Sequence, residues 1–175
     1  MNIILIGFRG TGKTTIGKIL ARQLGKEFID ADMYLEKKEG MSIKDIFTKG
    51  GEPLFRDIES KVIAELSLLD DKVIATGGGA VLREENVKHL KKRGIIILLD
   101  ADANTIHKRI HRDSHSRQRR PNLTAKGGYE EVQFLLEQRK PIYDKIADFV
   151  INTTHVSVAS AAHKIQTLLH HYVRN

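Results

Sequence analysis

Short apolar runs alternate along this chain with longer, more polar stretches in which apolar residues return every three or four positions. The short runs are Ile3 to Ile6, Phe28 to Asp30, Val73 to Ala75, Ile95 to Leu99 and Phe149 to Ile151, and each has the length of a buried strand. Between the first two, Ile16, Leu20 and Leu24 lie four residues apart over Lys13 to Leu24, and Gly25 follows as a helix-ending glycine. Ser42, with Asp45 three residues later, reads as a short helix start leading to Ile46 and Phe47. A longer helix is predicted over Pro53 to Leu69, with Leu54, Ile58, Val62 and Leu66 on one face. Glu84 to Arg93, Asn104 to Arg112, Tyr129 to Ile146 and Ser157 to Val173 complete the helical set. Strands alternating with helices of this length predict an α/β fold built from β-α-β units around a parallel sheet.

The rhythm breaks once. His111 to Gly128 has few apolar residues, contains Pro121 and the pair Gly127-Gly128, and carries Arg112, Arg117, Arg119 and Arg120. A loop of that length inside a compact domain is usually functional or disordered.

Length and composition narrow the classes. A chain of 175 residues suits one domain spanning 1–175, and 41% hydrophobic with 29% charged residues describes a globular protein with a proper core. The longest aliphatic run, Ile95 to Leu99, is far short of the roughly 20 residues that span a bilayer. No secretory pattern opens the chain, and with no cysteine there is no disulfide framework, thiolate nucleophile or thiolate zinc site. A cytoplasmic protein is expected. The formal charge of +7 favours anionic partners without choosing among nucleic acid, acidic lipid and small phosphorylated or carboxylated molecules.

Gly7-Phe8-Arg9-Gly10-Thr11-Gly12-Lys13-Thr14 chooses. It is a complete G-x-x-x-x-G-K-[ST] phosphate loop, with an apolar strand before it and an amphipathic helix after it. Glycines let successive backbone N–H groups converge on phosphate oxygens, and the helix N-terminus adds partial positive charge. Lys13 then reaches the β- and γ-phosphates and the Thr14 hydroxyl serves Mg²⁺. Neither the N-K-x-D nor the D-x-x-G pattern of guanine-nucleotide switches occurs, and no apolar run ends in a Walker-B aspartate at the usual distance. A GTPase switch and a motor ATPase are both disfavoured.

Three further groups carry chemistry. Phe28-Ile29-Asp30-Ala31-Asp32 puts two carboxylates two residues apart; in a strand both would point to the same side, one for the Mg²⁺ shell and one for a substrate hydroxyl. The plainer alternative is that both cap a helix beginning near Met33. Arg56 lies in Gly50-Gly51-Glu52-Pro53-Leu54-Phe55-Arg56-Asp57-Ile58-Glu59 and could grip a carboxylate bidentately, or merely pair with Glu59 at i+3. Thr76-Gly77-Gly78-Gly79-Ala80 closes the third strand, and three glycines in a row imply a very close backbone approach.

Taken in this order, the motifs resemble those of the shikimate kinase family over nearly the full length. They are the phosphate loop, F-x-D-x-D after the second strand, G-E-x-x-F-R-x-x-E, G-G-G-A-V, the Arg120-Pro121 pair, and Glu137 to Tyr143, similar to the family's R-x-P-x-Y helix. The resemblance implies a three-layer α/β/α phosphate-loop fold like that of nucleoside-monophosphate kinases, with a five-stranded parallel sheet and a mobile lid at about 112–126. It implies a phosphate loop at 7–14, a substrate region at about 32–60, and ATP-dependent transfer to the 3-hydroxyl of shikimate with Mg²⁺. By the same likeness Lys13, Asp32 and Arg120 are catalytic. ATP falls to Gly10, Thr11, Gly12, Lys13, Thr14, Thr15, Arg109 and Arg120, and shikimate to Asp32, Arg56, Gly77, Gly78, Gly79 and Arg139. Thr14 and Asp30 take the metal. ATP and shikimate are the expected partners of a monomer, with no nucleic acid or membrane. Asn122-Leu123 follows the Arg-Pro pair where the family often has two leucines, and no residue between Asn152 and Val158 matches an adenine contact.

Two other functions compete with this reading. Another small-molecule kinase, such as one acting on gluconate, would have little use for Arg56 and Arg139 beside the triple glycine. A nucleic-acid-binding ATPase would explain +7, but no aromatic platform for stacking is evident in a chain with 6% aromatics and no tryptophan. Histidines such as His107, His111, His115, His170 and His171 lack the carboxylate-supported spacing of a metal site.

Overall fold

The computed structural model describes residues 1–113 and 127–174. Strand β1 (Asn2–Ile6) leads through the phosphate loop into α1 (Lys13–Leu24), and β2 (Glu27–Asp30) passes directly into α2 (Ala31–Glu39). Helix α3 (Ile43–Leu66), β3 (Lys72–Ala75) and α4 (Glu84–Arg93) follow, then β4 (Gly94–Asp100) and α5 (Ala103–Arg112). Helix α6 (Gly128–Ile146), β5 (Phe149–Asn152) and α7 (Val158–Arg174) finish the chain. The expected lid at 112–126, and Arg120 with it, lies outside the described residues apart from its first two positions.

The strands form one parallel sheet in the order β2-β3-β1-β4-β5. Ile3 on the central strand pairs with Val73 on one side and Ile95 on the other. All of β1 is buried, so its residues read as a continuous apolar run, as strands covered on both faces do. Alternation still sorts them. Ile4 and Ile6, with Ile74, Ile96 and Leu98, pack under Leu35, Phe55, Val62, Leu90, Ile106 and Val132 of the helices on one face. Ile3 and Leu5, with Val73, Ile97 and Leu99, meet Ile16 and Leu20 of α1 and Ala162 and Ile165 of α7 on the other. The result is the expected three-layer α/β/α architecture. Among the described residues no helix is long and apolar enough to cross a membrane.

The helix boundaries agree with the sequence reading at one place and depart from it at another. The two helices expected at Ser42 and Pro53 are both present within α3: Gly50 and Gly51 leave helical geometry between them, Gly51 with a φ of 67°, and Pro53 sits in the tolerated first turn of the second. Ser42 caps the first part, accepting from the Asp45 N–H. The helix stops at Leu66 rather than Leu69; Leu68 is 70% exposed and has no face to bury.

Candidate active site

The carboxyl ends of the strands, where ligands bind in open parallel sheets, carry every candidate group that the structure describes. The phosphate loop leaves β1 and needs glycine for steric reasons. A Cβ on Gly7 would come within 2.3 Å of the Leu99 carbonyl oxygen, and Gly10 and Gly12 take φ of 82° and 96°. Gly12 is the N-cap of α1 and supplies no side-chain hydrogen bond, which leaves the first-turn N–H groups aimed at the cleft. Lys13 folds over the loop, its Nζ donating to the carbonyls of Gly7 and Phe8 at 2.8 Å each. This packs an ammonium against the backbone of the loop.

Asp30 and Asp32 are not two residues of one strand. Asp30 ends β2 and caps α2: its Oδ1 accepts from the N–H groups of Asp32 and Met33 at 3.1 and 3.2 Å. That cap turns the chain into helix, so Asp32 sits in the first turn of α2 and the expected strand alternation does not apply. The other oxygen of Asp30 accepts from the Thr14 hydroxyl at 2.7 Å. The plainer helix-cap alternative therefore holds for Asp30, and the hydrogen bond to Thr14 brings together the two residues expected to share a metal.

The triple glycine works by close approach. A Cβ on Gly79 would fall 2.3 Å from Nη2 of Arg56, whose guanidinium lies flat against the turn. On Gly78 a Cβ would meet the Arg9 N at 3.3 Å, so this backbone also abuts the phosphate loop. The Gly78 carbonyl accepts from the Tyr143 hydroxyl at 2.5 Å and from Arg139 Nη1 at 3.4 Å. Tyr143 is one turn beyond Arg139 on α6, hence on the same face. Arg139 also stands over the Phe8 ring at 5.4 Å. Both arginines are buried, at 6% and 7% exposure for Arg56 and Arg139.

Arg56 pairs with Glu59 at 2.5 Å and with Glu52 at 2.9 Å. The i+3 partner foreseen as a surface bridge is in fact 3% exposed. Burial acts to lower the Arg56 pKa, but attraction to Glu59 and the hydrogen bonds that Arg56 donates to both carboxylates prevail and hold it above its ordinary value. Its charge is thus locked in. On the phosphate loop Arg9 pairs with Glu131 of α6 at 2.9 Å, and that carboxylate is fully buried.

A cleft of about 850 Å³ gathers these parts. Gly10, Thr11, Gly12, Lys13, Thr14 and Thr15 line it with Asp30, Asp32, Gly78 and Arg109. Arg56, Arg139, Gly77 and Gly79 are not in that lining; they stand at or behind the turn whose Gly78 forms the wall. Arg109 is held in place by its Nη1 and Nη2, which donate to the hydroxyl and carbonyl of Thr153 at 2.9 and 2.6 Å. Thr153, Tyr143, Glu52 and Glu131 were not assigned from sequence. Tyr143 carried a signal, its spacing from Arg139; Thr153 carried none, because its role depends on chain segments far away in sequence.

The shikimate kinase family model matches residues 9–170. The chain belongs to the shikimate kinase family. It is 46% identical over 164 residues to the shikimate kinase of Thermodesulfovibrio yellowstonii, covering 94% of this chain and 92% of that one. The shikimate kinase of Syntrophus aciditrophicus is 43% identical, with 94% and 88% covered. In three dimensions the chain is similar to a shikimate kinase from Acinetobacter baumannii solved in complex with shikimate, with a TM-score of 0.89, 39% identity, and 96% and 92% of the two chains covered. Family membership makes this protein a phosphotransferase whose acceptor is a hydroxyl of shikimate.

Proposed function

We propose that the described cleft binds ATP and shikimate side by side and passes the γ-phosphoryl group to the shikimate 3-hydroxyl, giving 3-phosphoshikimate and ADP. The observation that carries this reading is the double role of the glycine turn. Gly78 lines the same cleft as the phosphate loop, while Arg139 and Tyr143 bond its carbonyl and Arg56 backs onto Gly79. A cradle for phosphate and two buried cations suited to a carboxylate thus share one wall.

Phosphoryl transfer asks the protein mainly for positioning and charge stabilisation. The loop N–H groups and Lys13 hold the triphosphate. Arg56 and Arg139 anchor the shikimate carboxylate, and Gly77, Gly78 and Gly79 give the ring room to lie against backbone. Asp32 orients the acceptor hydroxyl and takes its proton. The hydroxyl oxygen bonds to the γ-phosphorus as the bond from that phosphorus to the β–γ bridging oxygen breaks, and ADP leaves. Arg120, outside the described residues, takes the family's phosphate contact in this reading.

Thr14 and Asp30 suit Mg²⁺. Two hard oxygen donors 2.7 Å apart on the cleft wall match a cation that keeps several waters and takes few protein ligands beside phosphate oxygens. When bound, Mg²⁺ neutralises charge on the β- and γ-phosphates. The cap bonds on the other Asp30 oxygen fix the orientation in which this carboxylate meets the ion. Residues 1–175 act in this reading as one kinase domain, cytoplasmic and monomeric, with no nucleic-acid or membrane partner.

Coupled ADP release tests the proposal with shikimate, gluconate, nucleoside monophosphates and single-stranded DNA as acceptors. Shikimate alone is expected to respond, and phosphorus NMR should place the new ester on the 3-oxygen. Turnover with gluconate, or hydrolysis stimulated by DNA, overturns it.

A further inference from the structure

Thr153 follows β5 in the stretch 152–158, where no nucleotide contact could be matched from sequence. It is 2% exposed. Its hydroxyl stands among three distant parts of the chain: 3.0 Å from the Asp100 carbonyl at the end of β4, 3.3 Å from the Thr11 carbonyl in the phosphate loop, and 2.9 Å from the donating Nη1 of Arg109. Its backbone carbonyl accepts Nη2 of Arg109 at 2.6 Å, and its N–H donates to the Asp100 carbonyl at 2.7 Å.

A threonine hydroxyl has one proton and two lone pairs. Here the proton is shared between two carbonyls while a lone pair receives Arg109, so the group is used in fixed directions. Arg109 in turn is gripped at two nitrogens by one residue, which sets the plane of its guanidinium and leaves the face of that plane for stacking. Ile110, Val156 and Val158 line the same cleft as Arg109, apolar surface suited to a flat nucleobase. The phosphate end of the cleft is tied to the same hydroxyl through Thr11.

We infer that Thr153 is a positioning residue for the nucleotide: through one hydroxyl it aligns the Arg109 platform with the phosphate loop, so that base and phosphates are received at a set separation. The inference rests on the ATP reading of this cleft. Shape alone does not suffice for the role, since valine fills the same volume but leaves Arg109 Nη1 and two buried carbonyls without this partner.

Calorimetric titration of ADP and of shikimate into Thr153→Val, Thr153→Ser, Arg109→Ala and the Thr153→Val/Arg109→Ala double variant tests it. Thr153→Val should weaken ADP about tenfold and shikimate less than about twofold, and Thr153→Ser should restore ADP binding to within about threefold. The double variant should bind ADP within about twofold of Arg109→Ala, because both changes remove the same contact. The inference falls if Thr153→Val binds ADP like the parent, weakens both ligands alike, or multiplies the Arg109→Ala loss. It falls equally if Thr153→Val does not fold and Thr153→Ser still binds ADP about tenfold more weakly than the parent. If Arg109→Ala itself left ADP affinity unchanged, the nucleotide reading of this end would be wrong; if only that variant weakened ADP, the reading would stand and the role of Thr153 would not.

Discussion

Gly79 shows how much a hydrogen atom in place of a methyl group can decide. A Cβ there would lie 2.3 Å from Arg56 Nη2, and Arg56 has little freedom to retreat because Glu52 and Glu59 hold it. Gly79→Ala should therefore dislodge the guanidinium, costing about 1–3 kcal/mol of stability as an overpacked core does. In steady-state kinetics it should lower kcat/KM for shikimate by roughly 10- to 100-fold and leave ADP affinity nearly unchanged. Equal kinetics with the parent would show that Arg56 does not serve the acceptor. Arg139→Ala removes the second buried cation and should lower kcat/KM for shikimate by roughly 10² to 10⁴, since a carboxylate that loses a charged partner on binding costs a few kcal/mol. ATP affinity measured without shikimate should change far less. A comparable loss for both substrates would remove Arg139 from the acceptor site.

At the level of elements, helix starts place the chemistry. Asp30 caps α2 and so brings Asp32 into the cleft; Gly12 opens α1 onto the same cleft; Asp102 caps α5, which carries Arg109. The Asp102 carboxylate accepts from the Thr105 N–H at 2.7 Å, and chiefly this bond holds its pKa below the ordinary carboxylate value. A depressed folded-state pKa contributes stability that is present above the unfolded value, about 4, and is lost as pH falls through the folded one. Asp102→Ala should cost about 0.5–2 kcal/mol at pH 7 by urea denaturation. The gap between variant and parent should close as the pH drops below about 4. A gap independent of pH would mean that the carboxylate is not the stabilising group.

For the whole molecule, the sheet's two cores hold the strand ends in place before any ligand arrives, so ligand binding should add to stability rather than create the fold. A ligand that binds only the folded state contributes about 2.7 kcal/mol at a concentration 100 times its Kd. For a chain of this size that corresponds to a Tm rise of roughly 5–11 °C. Scanning calorimetry with ADP should show such a rise, and a single-stranded oligonucleotide should produce none despite the formal charge of +7. A rise with the oligonucleotide would return the excess charge to a nucleic-acid role.

The chain by itself determined what depends on neighbours in sequence. The phosphate loop was legible because its glycines, Lys13 and Thr14 act through contiguous backbone, and the strand and helix order was legible because periodicity follows from burial on one face or two. The close approach at the glycine turn could be anticipated, since three consecutive glycines leave little else to explain them, and the nearness of Asp30 to Thr14 was implied by the metal role expected of both. Tertiary structure alone decided the rest. Asp32 moved from strand to helix because the Asp30 cap, with its two bonds, outweighed alternation, and the Arg56–Glu59 pair proved buried because α3 packs that face against the glycine turn. Thr153 has meaning only where β4, β5, the phosphate loop and α5 meet. Groups up to 142 residues apart share its one hydroxyl, and no local pattern records such a meeting because hydrogen bonding there is set by packing, not by spacing.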